Sequence, residues 1–256
     1  MASNESKGKT FVVALALCLV CSVVVSSAAV LLKDAQVANK ALDKQKNILQ
    51  AAGMYKDGVD VVEQFEQITA KLVDFRTGKF SQDITIDKFD QRKAAKDPSI
   101  SLLLSEDEDL ANISRRENYA LVYLVEKQGE LDKVILPVHG YGLWSTLYGF
   151  VALEQDANTV AGLGFFEHGE TPGLGGEVDN PRWKAMWPGK QIYSEQGVAI
   201  SLIKGTVDTS RKGSRYQVDG LSGATLTSKG VTNLLQFWLG DNGFGPFLHN
   251  LREGEA

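Results

Sequence analysis

From residue 11 to residue 32 the chain carries no charged side chain, and Val, Ala and Leu dominate the run. At ~1.5 Å rise per residue a helix over these positions reaches about 33 Å, enough to cross a hydrocarbon core of roughly 30 Å. The alternative is a cleaved signal peptide with Ser26-Ser27-Ala28 as its small-residue site. The apolar region of such a peptide is usually about 7–15 residues, so a retained anchor is expected. A lipoprotein anchor at Cys18 or Cys21 is disfavoured, because Leu17 and Val20 stand where a small residue is wanted. Lys7 and Lys9 precede the run, partly offset by Glu5, whereas Lys33 is followed at once by Asp34. The positive-inside bias then makes 1–10 a cytoplasmic tail, 11–32 the transmembrane helix and 33–256 the outer domain. In a bacterium this is a single-pass inner-membrane protein with its main domain in the periplasm. A span without charged groups offers nothing to line an ion path. Cys18 and Cys21 supply two metal ligands at most, so they read as small hydrophobes and no metal site is assigned unless a partner chain completes one.

The remaining chain is long enough for a real core. Of 256 residues, 43% are hydrophobic and 23% charged, which suits one or two globular domains. The net charge of −5 and the absence of a basic stripe exclude a nucleic-acid binder. Residues 35–52 read as a helix closed by Gly53, and 59–75 as a second, with Phe65, Ile68 and Leu72 on one face. Thr77-Gly78 is a turn. Residues 80–110 read as irregular and charged, with Glu106-Asp107-Glu108-Asp109 as a solvated run. From Tyr119 the pattern becomes β: 120–125 with 134–138 around Gly129, and 147–153 with 160–166 around Asp156-Ala157-Asn158, are antiparallel hairpins. A short helix over 181–187 and a strand over 198–203 follow. The expectation is an α+β protein: one transmembrane helix, then a single domain with a mostly antiparallel sheet flanked by helices.

The chemistry concentrates in Asp219-Gly220-Leu221-Ser222-Gly223-Ala224-Thr225-Leu226-Thr227. Behind it Val231, Leu234, Leu235 and Trp238 fall at the spacing of one apolar helix face, with Thr227 or Ser228 as the expected N-cap and Gly240 as the stop. A glycine turn feeding a helix N-terminus is phosphate-binding geometry, and the Thr225 hydroxyl adds a possible covalent anchor. The plainer reading is a turn whose threonine caps a helix. Two more glycine-rich stretches stand apart. The first, Val138-His139-Gly140-Tyr141-Gly142-Leu143-Trp144-Ser145, reads equally as a turn with core aromatics or as a close approach to a flat ring. The second, Glu167-His168-Gly169-Glu170-Thr171-Pro172-Gly173-Leu174-Gly175-Gly176, must be a shaped loop. His139, His168 and His249 lack metal-ligand spacing. No nucleophile elbow or Walker sequence is present, and Gly162-x-Gly164 lacks the third glycine of a dinucleotide fingerprint. Direct NADH binding is therefore not expected, and electrons would come from another protein or cofactor.

Residues Asp219 to Thr227 resemble the flavinylation motif of the FMN-binding domain family, Asp-x-x-(Ser/Thr)-Gly-Ala-Thr. In that family the last threonine, here Thr225, is esterified by the phosphate of FMN. With its N-terminal anchor, the whole chain resembles the C-subunit family of sodium-translocating NADH:quinone reductases, which is related to the G subunit of Rnf complexes. The resemblance implies an electron-relay subunit of a sodium-pumping NADH:ubiquinone oxidoreductase that performs no complete reaction alone. It places covalent FMN on Thr225, with Asp219, Ser222, Gly223, Ala224 and Thr227 forming the attachment turn. Leu143 and Trp144 would pack on or beside the ring, Glu170, Thr171, Gly173 and Leu174 would meet its edge, and Lys204 would sit near its polar side. A cation there stabilises reduced, anionic flavin. The implied partners are the other membrane subunits and, during maturation, a flavin transferase using FAD and a divalent metal. Two alternatives stay open: an Rnf-type electron-transfer subunit, and a non-redox anchored module that binds a phosphate ligand at 223–227. The long 35–110 insertion and the His139-to-Trp144 run favour the first reading over Rnf.

Overall fold

The structure, a computed structural model, describes residues 7–86 and 89–256. Most of the proposed cytoplasmic tail, Glu5 included, lies outside the described residues. The chain divides into two units, Met1–Lys44 and Gln45–Ala256. In the first, α1 (Lys7–Leu31) buries none of its residues, and its apolar side chains from Phe11 to Leu31 point outward. Among the described residues it is the one helix long and apolar enough to cross a membrane. Hydrogen bonds from Leu32 N to Ala28 O and from Gln36 N to Leu32 O carry the backbone into α2 (Lys33–Ala51). Gly53, at φ 68°, ends that helix where its sequence signal places the stop.

The second unit is built on a six-stranded sheet. Its strands are β1 (Ile68–Asp74), β2 (Lys79–Ser81), β5 (Tyr119–Lys127), β6 (Glu130–Tyr141), β7 (Thr146–Glu154) and β8 (Val160–Glu167), in the order β2-β1-β5-β6-β7-β8. Every pairing is antiparallel. The β5–β6 and β7–β8 hairpins agree with the alternation read from sequence, and Gln128-Gly129, both at positive φ, make the tight turn between the first two.

Residues 59–75 do not form one helix. Asp60 caps only a short α3 (Val61–Phe65), accepting from Val62 N at 2.8 Å and Glu63 N at 3.3 Å. The chain then enters β1, which pairs with β5 from Ile68↔Val125 to Asp74↔Tyr119. The i, i+3, i+7 spacing of Phe65, Ile68 and Leu72 misleads because it straddles the end of α3 and β1, where Ile68 and Leu72 are buried as alternate residues of a strand. Residues 80–110 are also more ordered than expected. They contain α4 (Gln91–Lys96), capped by Asp90, and β3 (Ser101–Leu103), which pairs with β4 (Arg115–Glu117). The acidic run is more than a solvated loop: Asp109 accepts from Ile113 N at 2.8 Å and Ser114 N at 2.7 Å and so closes the segment. Beyond the sheet, α5 (Pro181–Lys184) is a single turn, and 198–203 is not one strand. Val198 ends a small hairpin of β9 (Tyr193–Ser194) and β10 (Gly197–Val198), and a separate strand begins at Ser201.

Alternation along β5 separates two cores. Ala120, Val122 and Leu124 face α6 (Thr225–Leu239) and α7 (Gly245–Glu253), the second of which no sequence pattern announces. Tyr123 and Val125 face Ile48, Leu49, Ala51 and Ala52, with Phe65 alongside. Gly162 in β8 permits that second layer its close approach, because a Cβ there would stand 2.3 Å from the Ala51 carbonyl oxygen.

Glu117 of β4 is fully buried. Its Oε1 accepts from Gln91 Nε2 at 2.5 Å, and its Oε2 has no partner among the described residues. Burial pushes its carboxyl up to about 7 against the opposing pull of the Gln91 hydrogen bond and Arg116. A folded-state value above the ordinary 4.5 favours the protonated form in the fold. The stabilisation is therefore full below about pH 4.5 and is lost as the pH rises towards about 7. Glu117→Gln should remove this component, so the wild type should lose stability relative to the variant across that window in denaturant titrations. A constant difference between the two across that window would contradict the assignment.

Candidate functional site: an open hydroxyl at a helix start

Two short parallel strands deliver the chain to the site. In β11 (Ser201–Ile203) and β12 (Gln217–Asp219), Ile203 lies opposite Asp219, and Gly220 N donates to Ile203 O at 2.8 Å. Lys204 is the first residue beyond β11 and is exposed beside this exit. Asp219 acts as a brace: its Oδ1 accepts from Val207 N at 2.8 Å and its carbonyl accepts from Trp183 Nε1 at 3.0 Å. The turn closes with Ala224 N donating to Leu221 O at 3.1 Å, and Gly223 takes φ 72°. A residue with a side chain would be strained at that angle.

The helix starts earlier than its sequence signal indicates. Ala224, not Thr227 or Ser228, is the N-cap, and Thr225 is the first helical residue. Ala224 offers no capping side chain; Ser228 reaches back instead, with its Oγ accepting from Leu221 N at 2.9 Å and donating to Ala224 O at 3.0 Å. The local hydroxyls can therefore be sorted. Thr227 is buried and Ser228 is committed at both ends, whereas Ser222 and Thr225 are exposed. Among the described residues neither of those two has a hydrogen-bond partner. The backbone N–H groups of Thr225, Leu226 and Thr227 belong to the first helical turn, where intrahelical acceptors are lacking, so an anion on the Thr225 oxygen would meet donors and the positive helix end.

Glu170 ties the two glycine-rich stretches to this helix. Its Oε1 accepts from Leu143 N and Trp144 N, both at 3.0 Å, and from Ser145 N at 3.4 Å. Its Oε2 accepts from Thr227 Oγ1 at 2.7 Å. Burial raises the cost of the charge, yet the Thr227 hydroxyl and the three backbone donors outweigh it and hold the carboxyl below the usual range. The side chain is thus turned inward, towards the 143–145 turn and Thr227. Thr171, Gly173 and Leu174 are exposed on the same loop, and Leu174 Cδ2 lies 3.0 Å from where a Cβ of Gly223 would be. Leu143, Trp144 (65% exposed), Leu174 and Leu226 (57%) leave apolar surface open on the 143–144 turn, the 171–174 loop and the first turn of α6.

Three further glycines make this packing possible. A Cβ on Gly142 would stand 2.6 Å from Glu170 Oε1, one on Gly175 2.6 Å from Glu170 Oε2, and one on Gly230 2.5 Å from Tyr141 O. Gly230 does carry a sequence signal, since a glycine inside a helix costs about 1 kcal/mol relative to alanine. The signals for Gly142 and Gly175 are lost among neighbouring glycines. Among the described residues no cluster of three or more His, Cys, Asp or Glu side chains could hold a metal.

An open hydroxyl, a helix N-terminus, a turn glycine and apolar side chains nearby fit a phosphate and a flat ring, presented on an α+β domain. The FMN-binding domain family matches residues 142–240. The C-subunit of the Na+-translocating NADH-quinone reductase of Pseudomonas aeruginosa is 58% identical over the full length of both chains. That of Vibrio vulnificus is 53% identical over 99% of each. The crystal structure of Shewanella oneidensis NqrC superposes with a TM-score of 0.76 at 38% identity, spanning 84% of this chain and 99% of that one. The chain belongs to the C-subunit family of Na+-translocating NADH-quinone reductases, multi-subunit flavoprotein complexes.

Proposed function

We propose that this chain carries FMN as a phosphoester on Thr225 and relays electrons between other redox centres of a sodium-pumping NADH:ubiquinone oxidoreductase. The observation that carries the covalent assignment is the Thr225 hydroxyl, exposed at the first position of α6 and without a partner among the described residues. Attachment would need a transferase using FAD and a divalent metal, with Thr225 Oγ bonding the flavin-side phosphorus as the pyrophosphate P–O bond breaks, AMP as the leaving group and the hydroxyl proton passing to a base. Once bound, FMN supplies one- and two-electron redox chemistry that no side chain of this chain offers. The protein's part is to hold the phosphate on the first-turn N–H groups, to cover the ring with Leu143, Trp144 and Leu174, and to place Lys204 near its polar side. A permanent ester suits a relay that must keep its cofactor through many turnovers, above all outside the cytoplasm.

The anchor is residues 11–32, with 1–10 in the cytoplasm and 33–256 in the periplasm of a bacterial inner membrane; the lysines before the span support this orientation. The other membrane subunits would meet the anchor and the flavin-exposing face. Protein co-expressed with its transferase should give a flavin-fluorescent band on a denaturing gel. A dark band from fully matured protein would overturn the covalent reading.

A further inference from the structure

The Glu170 carboxylate joins segments far apart in the chain, and it is largely shielded from solvent. It is 5% exposed, it takes three successive backbone donors of the 143–145 turn on one oxygen, and it takes Thr227 on the other. Thr227 is itself 0% exposed and stands two residues after Thr225 in the first turns of α6. The glycines at 142 and 175 close over the two carboxylate oxygens, leaving no room for even a methyl group. Gly230, one turn further along α6, lets the helix touch the Tyr141 and Gly142 backbone directly. Every bond of this carboxylate therefore runs between the element that presents Leu143 and Trp144 and the helix that presents Thr225.

From this geometry we propose that Glu170 and Thr227 are positioning residues: their buried hydrogen bond fixes the Leu143–Trp144 surface relative to the Thr225 hydroxyl, and so seats the ring of a flavin tethered there against Trp144. The proposal rests on the flavin reading above. Neither side chain touches the cofactor in this role. A protonated or amide side chain at 170 would serve less well, since three N–H groups converge on a single oxygen and an ionised carboxylate accepts all of them while keeping its second oxygen for Thr227.

The test uses the full-length chain in two forms. In the flavin-free Thr225→Ala background, adding Thr227→Val should speed amide hydrogen exchange at 143–145 by about tenfold, the effect of losing roughly one buried hydrogen bond. Thr227→Ser should restore it, and Glu170→Ala should speed it further. In the flavin-loaded protein, Thr227→Val is compared with the wild type at equal bound flavin, since residue 227 belongs to the attachment turn. The visible circular dichroism of the variant's flavin should weaken and its emission rise as the contact with Trp144 loosens, and Thr227→Ser should match the wild type. Unchanged exchange, or faster exchange with unaltered flavin spectra, would overturn the positioning role while leaving the flavin assignment standing. A wild-type chain without flavin would instead overturn the assignment on which the proposal rests.

Discussion

Thr225→Ala is expected to abolish covalent flavin and leave the fold intact. The side chain is exposed, and no hydrogen bond within the described structure depends on it. Alanine is also the better helix former by up to about 0.7 kcal/mol, so the unfolding midpoint should hold or rise slightly. Neighbouring hydroxyls are poor substitutes. Thr227 is sealed against Glu170, Ser228 is bonded at both ends to the turn it braces, and Ser222 lies before Gly223, outside the helical first turn. Flavin fluorescence on a denaturing gel should therefore fall to background in Thr225→Ala, whereas Thr225→Ser should retain a band because it keeps an oxygen at the same position. Persistent fluorescence in the alanine variant would show that the acceptor lies elsewhere.

Trp238→Ala should be among the most destabilising single truncations in the domain. Trp238 is fully buried in α6, packs against Phe75, His139, Phe237 and Phe244, and donates from Nε1 to the His139 carbonyl at 2.6 Å. Removing a buried aromatic of this size costs about 3–5 kcal/mol. Trp238→Phe should cost less, about 1–3 kcal/mol, from leaving the half-buried His139 carbonyl without its Trp238 donor. His139 lies one residue before Gly140, whose missing side chain lets β6 meet Leu234, so the larger cavity should also loosen the approach to the 142–145 turn. Urea unfolding would read both effects as shifts in midpoint at constant slope. A Trp238→Ala midpoint within the error of wild type would contradict the packing described.

Elements are legible in the sequence where their local pattern has one physical explanation. The charge-free 11–32 run, the two hairpins of the central sheet and the apolar face of α6 are each such a pattern, and the structure contains each of them. Residues 68–74 mislead because the alternation of Ile68, Ala70 and Leu72 with Thr69 and Lys71 is short, and chance spacing of Phe65, Ile68 and Leu72 imitates a helix. The start of α6 is hidden because its cap is an alanine with no side-chain cap bond, while Ser228 inside the helix braces the preceding turn through Leu221 N. Most of the site's residues can be named from their motifs, but the inward role of Glu170 cannot. It depends on donors 25–27 and 57 residues away, and no local pattern encodes those partners. Gly142 and Gly175 are equally opaque, since their meaning lies in the carboxylate each one makes room for.

The central claim is the ester on Thr225, and peptide mapping by mass spectrometry tests it most directly. Mature full-length protein co-expressed with its flavin transferase should yield a peptide spanning Ser222 to Lys229 heavier by one FMN less one water, with fragmentation placing the addition on Thr225. An unmodified Thr225 in fully matured protein, or the same mass on another residue, would contradict the account.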